Sequence, residues 1–266
     1  MRSDLPDRPS CPALTRYAYD ANFRTNLSNG DAKFAMIEHL MAALAGLEID
    51  NCVIEIDAEE LPGLDGSSLA FAEALIDAGL IVQTAIRRRL VIEKPSRIEA
   101  GGCWIDALPI VPAISGHQQG AYYEYRLDYE HSSIVPSQTY GLLSTPRRFV
   151  SDVAGARTFV TADQADMLRA QGVASHVTNQ DLIVLGPDGP VDNSFRYADE
   201  CARHKTLDMI GDLALAGVDL VGHFVSYRGG HILNGRLASE LATLAAGEQH
   251  DTPQSSLRDG LKRRAA

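Results

Sequence analysis

Long apolar runs are missing from this chain of 266 residues. The longest strongly apolar stretch, residues 40–47, falls far short of the roughly 20 needed to cross a bilayer, and Glu48 and Asp50 follow it directly. No transmembrane helix is expected. The opening residues, Met1-Arg2-Ser3-Asp4-Leu5-Pro6, lack the apolar core of a signal peptide. Cysteine is scarce: Cys11, Cys52, Cys103 and Cys201 stand far apart without any CxxC pairing. Disulfide and metal roles stay open to them, but the favoured reading is of small interior residues in a reducing cytoplasm. Positive charge is in deficit, with 24 Lys and Arg against 35 Asp and Glu, a net of −11. That field disfavours nucleic acid and anionic membrane surfaces as partners. What is present is a 45% apolar composition, enough for the core of one large domain or two small ones.

After a Pro-rich start (Pro6, Pro9, Pro12), residues 17–26 are mixed and turn-like, and Ser28-Asn29-Gly30-Asp31 marks a turn. Ile37, Leu40, Met41, Leu44 and Leu47 recur at helical spacing and predict a helix over 34–47, with Glu38 and His39 near its first turn. Residues 52–57 alternate as a half-buried strand, and the loop 61–68 leads into a helix over 69–78 stopped by Gly79. A strand over 86–92 carries Arg87, Arg88 and Arg89, which places a junction between two α/β halves near residue 85. In the second half, strands are predicted over 122–127, 182–185 and 220–227. Helices are predicted over 163–171, 199–216 and 233–246, with Gly217 as a stop and Gly229-Gly230 as a turn. The tail 247–266, with Lys262-Arg263-Arg264, reads as a solvated flexible end rather than a binding arm.

Chemistry concentrates in a few places. On a helix, His204, Asp208 and Asp212 are each four apart and project from one face at successive turns. An imidazole and a carboxylate one turn apart can share a metal ion, although such pairs also occur by chance on solvated helices. Glu38-His39 sits at a helix start with small neighbours, Ala42, Ala43 and Gly46. His39 as a third donor would give a His2Asp set with its fourth position open, as in a catalytic site; the alternative is an exposed pair at a helix terminus. Gly229-Gly230-His231 places an imidazole after a permissive turn, where Asp212 could orient it; a plain turn residue is the other reading. His117, His131, His176, His223 and His250 have no partner pattern.

Five segments in order carry a resemblance. They are residues 37–47 (Ile-Glu-His-Leu-Met-Ala-Ala-Leu-Ala-Gly-Leu), Leu64-Asp65-Gly66-Ser67, Gly155-Ala156-Arg157-Thr158-Phe159, Arg203-His204-Lys205 with Gly211-Asp212, and Gly230-His231-Ile232-Leu233-Asn234. From about residue 2 to residue 244 the chain resembles the zinc-dependent UDP-3-O-acyl-N-acetylglucosamine deacetylases of lipid A biosynthesis. The resemblance implies that His39, His204 and Asp208 bind zinc and that Glu38 is the general base. It further implies that Thr158 is an oxyanion donor, Lys205 a substrate contact, and His231 a cationic partner held by Asp212. The substrate would be acylated UDP-N-acetylglucosamine, its N-acetyl group released as acetate by a cytoplasmic monomer.

The fold so implied is α+β: two α/β sandwich domains, each packing helices on a sheet, with the active site between them. The expected division is 1–85, 86–246 with a βαβ insert that forms an apolar acyl passage around 182–185, and the tail 247–266. Members of the family usually carry further strands before a segment similar to Arg2-Ser3-Asp4-Leu5-Pro6. This chain begins there, so either its start is assigned too far downstream or its first domain lacks those strands, which would expose a sheet edge and part of its core. Ser175-His176-Val177-Thr178 also stands where many members have a Gly-Gly-Ser turn. Two other functions are carried forward: a catalytically impaired relative that binds a nucleotide sugar, and a zinc deacetylase of a different N-acyl sugar. Glu38 argues against the first, since a pure binder needs no base.

Overall fold

The computed structural model describes residues 1–20, 23–111, 119–129, 134–170, 172 and 178–251, with side chains as far as residue 247. Three short strands come first, β1 (Ala18–Tyr19), β2 (Asn26–Asn29) and β3 (Ala32–Phe34), forming an antiparallel sheet in that order. Helices α1 (Glu38–Gly46) and α2 (Leu69–Ala78) follow. Then come β4 (Arg89–Val91), β5 (Ser96–Ala100), β6 (Cys103–Leu108), β7 (Ala121–Leu127) and β8 (Gln138–Leu143). A βαβ unit of β9 (Phe159–Thr161), α3 (Ala162–Ala170) and β10 (Ile183–Gly186) has parallel strands, and β11 (Gly189–Pro190) returns antiparallel to β10. Helix α4 (Glu200–Ala214), strand β12 (Asp219–Tyr227) and helix α5 (His231–Asp251) complete the described chain.

The large sheet runs β5-β6-β12-β7-β8, with β4 pairing the first residues of β12. Strand β12 is antiparallel to β6 and parallel to β7. Alternation in β7 turns Ala121, Tyr123, Tyr125 and Leu127 into the core and leaves Arg126 exposed. Helix α4 packs on β7 and β8, and α5 on β4, β5 and β6. The fold is α+β, and no helix among the described residues is long and apolar enough to cross a membrane.

Helix α1 serves two cores. Ala42, Ala43 and Leu47 join the main cluster of Leu207, Ile210 and Phe224, whereas Ile37, Leu40 and Leu44 join a smaller one with Leu27, Phe34, Leu61 and Leu215. Apolar residues on both sides leave α1 sandwiched, which is why Glu38 and His39 are buried although they stand in its first turn. Helix α4 is buried on nearly every side, polar residues included.

Several expectations need correction. The helix predicted from residue 34 begins at Glu38, because Phe34 pairs with Leu27 in the β2–β3 hairpin and Met36 takes φ 59°, which neither strand nor helix accommodates. The strand expected over 52–57 alternates correctly, with Ile54 and Ile56 half-buried, but among the described residues its backbone pairs only with Met1 to Ser3, as an isolated bridge. The strand expected over 86–92 is limited to Arg89–Val91, and α4 stops at Ala214, ahead of Gly217 at φ 70°. Helix α5 starts two residues before the predicted 233, which makes His231 its first residue, and it continues to Asp251 through the start of the expected tail. Interior cysteine holds for Cys201 alone, since Cys52 is exposed and Cys11 and Cys103 are half-buried. His117, His131, Ser175, His176, Val177 and the tail beyond residue 251 lie outside the described residues, as does the His250 side chain.

Two glycines set the seat of α1. A Cβ on Gly211, in the middle of α4, would overlap the Glu38 carbonyl oxygen, and one on Gly46 would overlap the Phe149 ring. Glycine in a helix interior costs up to about 1 kcal/mol relative to alanine, so at Gly211 close approach outweighs propensity. Gly211→Ala should therefore lose about 1–3 kcal/mol of stability by overpacking. In the same urea titration Gly235→Ala, which meets nothing within 4 Å, should be neutral or stabilising. Equal stability of Gly211→Ala and the parent would show that α1 is free to shift.

Candidate active site

Seating α1 on α4 brings residues far apart in sequence to one place. His204, Asp208 and Asp212 share a face of α4, and the first turn of α1 delivers His39 and Glu38 to it. One ligand atom each from His39, His204 and Asp208 lies within 4.8 Å of the others, and all three residues are buried. The two imidazoles meet edge to face with centroids 5.2 Å apart.

Asp208 divides its oxygens. Lys205 Nζ donates to Oδ2 at 2.6 Å. Oδ1 is buried without a hydrogen-bond partner, facing His204 Nε2 at 3.4 Å and His39 Nε2 at 3.7 Å. His204 Nδ1 lies 3.2 Å from the Ala156 carbonyl, which can only accept, so Nδ1 carries the proton and Nε2 presents a lone pair. A buried carboxylate oxygen left without a donor costs about 1–3 kcal/mol. A cation held by these nitrogen and oxygen donors removes that cost, so the residues fit a metal ion.

A second network lies beside the first. The Thr25 N–H donates to Glu38 Oε2 at 2.9 Å, and the Thr25 hydroxyl donates to Asp212 Oδ1 at 2.5 Å. His231 Nδ1 is 2.9 Å from Asp212 Oδ2 and 3.2 Å from Thr25 Oγ1, and Asn234 Nδ2 donates to Asp212 Oδ2 at 2.8 Å. With Nδ1 so engaged, Nε2 of His231 points towards Asp208, 3.9 Å from Oδ2. A cleft of about 270 Å³ opens against Thr25, Asp212 and His231 and is also lined by Arg24 and Arg236.

Electrostatics separate the titratable groups. Burial pushes the Glu38 carboxyl above the usual range, against the nearby histidine charges. Burial also opposes the His231 charge, but Asp212 outweighs it and lifts the pKa to about 9, so the imidazole is protonated at neutral pH. Burial drives His204 down to about 3, the neutral form a ligand needs. In His39 burial is outweighed by the Asp208 and Glu38 charges, and its pKa rises. Asp208 stays ionised well below the usual range because the charges of His204 and Lys205 exceed its desolvation.

The structure thus gathers Glu38, His39, His204, Lys205, Asp208, Asp212 and His231. Thr158 is engaged elsewhere: its hydroxyl and N–H both donate to the Gly66 carbonyl, at 3.1 and 2.7 Å. His223 belongs to the sheet, its Nε2 3.5 Å from Glu124. Sequence reasoning misses Thr25, which falls in a stretch read as turn-like, and Asn234, one turn after Gly230, whose only signal is its place in the last motif.

Two imidazoles and a carboxylate could thus hold a metal ion, with the Glu38 carboxyl and a cationic imidazole, His231, beside them. The family model described as LpxC, UDP-3-O-acyl N-acetylglycosamine deacetylase, matches residues 1–243. A UDP-3-O-acyl-N-acetylglucosamine deacetylase of Shewanella frigidimarina is 38% identical over 248 residues, covering 90% of this chain and 77% of the relative. Proteins of the same name from Brucella ovis and Brucella canis are 37% identical over 244 residues, covering 91% of this chain and 82% of each relative. The chain belongs to the UDP-3-O-acyl-N-acetylglucosamine deacetylase family.

If Asp212 holds the His231 charge, Asp212→Asn removes the carboxylate and leaves the burial penalty. The His231 pKa should then fall from about 9 to below the ordinary histidine value. An NMR titration of the imidazole C–H signals in the metal-free protein checks this. An unmoved pKa would transfer the role to Asp208.

Proposed function

We propose that the chain hydrolyses the N-acetyl group of UDP-3-O-(3-hydroxyacyl)-N-acetylglucosamine, releasing acetate, as a zinc-dependent step of lipid A biosynthesis in the cytoplasm. The observation that carries this reading is the convergence of His39, His204 and the unpartnered Asp208 Oδ1 beside Glu38. The names of the relatives supply the substrate class.

His39 Nε2, His204 Nε2 and Asp208 Oδ1 would hold the zinc. When bound, it supplies a Lewis acid that polarises the amide carbonyl, which is otherwise a poor electrophile. Glu38, kept buried and oriented by the Thr25 N–H, accepts the proton of the attacking water; its raised pKa makes the carboxylate a better base than an exposed one. The Thr158 hydroxyl stabilises the developing oxyanion by turning from the Gly66 carbonyl, which keeps the Thr158 N–H. His231, cationic through Asp212, stabilises the same charge or gives the Nε2 proton to the departing amine. Lys205 holds Asp208 Oδ2 and, with 16% of its side chain exposed, can also contact the substrate. The acyl passage would be formed by the βαβ unit that contains β10, where Ile183, Val184 and Leu185 are buried apolar residues.

Two variants separate metal binding from proton transfer. His204→Ala should lose most of its zinc by elemental analysis, whereas Glu38→Gln should keep it and release acetate about 10²–10⁴ times more slowly. Full zinc in the first variant, or an unchanged rate in the second, would discard the corresponding role.

The acyl chain supplies remote binding energy that positions the reacting amide. UDP-N-acetylglucosamine without the chain should therefore show a much lower kcat/KM than the acylated substrate. Equal values would favour the reading as a deacetylase of a different N-acyl sugar.

A further inference from the structure

Glu200 stands one turn before His204 on α4, so the two side chains leave the same face. They reach adjacent residues of one loop segment. Arg157 Nε donates to Glu200 Oε1 at 2.9 Å and Nη2 to Oε2 at 3.2 Å, and the Arg157 N–H donates to Oε1 at 3.2 Å. The next carbonyl back along the chain, that of Ala156, accepts from His204 Nδ1 at 3.2 Å. Arg157 also donates from Nη1 to Asn193 Oδ1 at 3.0 Å and from Nη2 to the Ser194 carbonyl at 2.6 Å, while the Arg196 N–H donates to Glu200 Oε2 at 2.6 Å.

This ion pair is nearly without water: Arg157 is 4% exposed and Glu200 is fully buried. Desolvating two charges cancels much of their attraction, so the charge pair as such adds little stability beyond the backbone hydrogen bonds that Glu200 accepts. Stability alone therefore gives little reason for the pair. Direction does, because a guanidinium fork on a carboxylate fixes orientation in a way that apolar packing does not. The orientation fixed is that of the peptide which presents the Ala156 carbonyl.

We propose that Arg157 and Glu200 are positioning residues for metal binding: their buried ion pair holds the Ala156 carbonyl against His204 Nδ1, which keeps Nε2 free to ligate. The inference rests on the reading of His204 as a ligand. Neutral imidazole otherwise divides itself between two tautomers, and the form with the proton on Nε2 cannot bind a cation there. Orienting partners of this kind set the affinity of metal-ligating histidines.

The test replaces the pair by apolar residues of similar size, in the full chain, as Arg157→Met with Glu200→Met. The His204 tautomer is read from the ring nitrogen shifts of ¹⁵N-histidine-labelled metal-free protein, and zinc affinity from competition with a chromophoric chelator. The parent should show the Nδ1–H tautomer alone. The double variant should unfold cooperatively but at a lower Tm, because methionine cannot accept the Arg157 and Arg196 N–H groups that Glu200 accepts; it should show both tautomers and bind zinc about 10–100 times more weakly. A folded double variant with the parental tautomer and affinity overturns the proposal. If the double variant does not fold, Arg157→Lys, which keeps the charge without the fork, is read in the same way and decides by the same two results. A parent chain that binds no zinc would refute the metal assignment but leave the tautomer result standing, so the two failures are distinguishable.

Discussion

The Glu38 carbonyl lies where a Cβ on Gly211 would stand, and on this approach of α1 to α4 the rest of the site depends. His39 and Glu38 come from one helix and His204, Asp208 and Asp212 from the other. No side chain can span a gap opened by even a methyl group without giving up its geometry, because donors around a metal must agree to within a few tenths of an ångström. The seat is therefore held from both sides of α1: Ala42 and Ala43 pack into the main core, and Ile37, Leu40 and Leu44 into the smaller one. Packing fixes the backbone, and the backbone fixes the chemistry.

Charge is distributed with the same economy. Asp208 is shared between Lys205 on one oxygen and two imidazole nitrogens on the other, while Asp212 is shared among Thr25, His231 and Asn234. The two carboxylates stand one turn apart on α4 yet act oppositely. One leaves an oxygen without a donor, a vacancy in hydrogen bonding suited to a cation; the other is saturated and stabilises a cation that is part of the protein. Thr25 joins the halves, with its N–H on Glu38 and its hydroxyl on Asp212.

What could be read from the sequence followed how local its cause was. The i, i+4 spacing of His204, Asp208 and Asp212 survives into the structure because one helix carries all three. Helices α2 and α3 and strands β7, β10 and β12 were legible from periodicity bounded by Gly or Pro turns. Strands β5, β6 and β8 were missed: β5 is mostly exposed at the sheet edge, and the Gly101-Gly102 turn that joins it to β6 has little apolar alternation before it. Residues 52–57 show the reverse failure, since alternation records which side is buried but not whether a partner strand is present. Thr25 could not be found because its bond to Asp212 spans 187 residues and no pattern near it announces a site. The family resemblance supplied the joining of the two segments, which spacing left open.

The central claim is that two helices from distant parts of the chain complete one metal centre. X-ray absorption at the zinc edge of the zinc-loaded full chain tests it most directly. The account predicts a first shell of nitrogen and oxygen only, at about 2.0–2.2 Å, with the multiple scattering of two imidazoles. Sulfur scattering at about 2.3 Å, or the signature of a single imidazole, would contradict it.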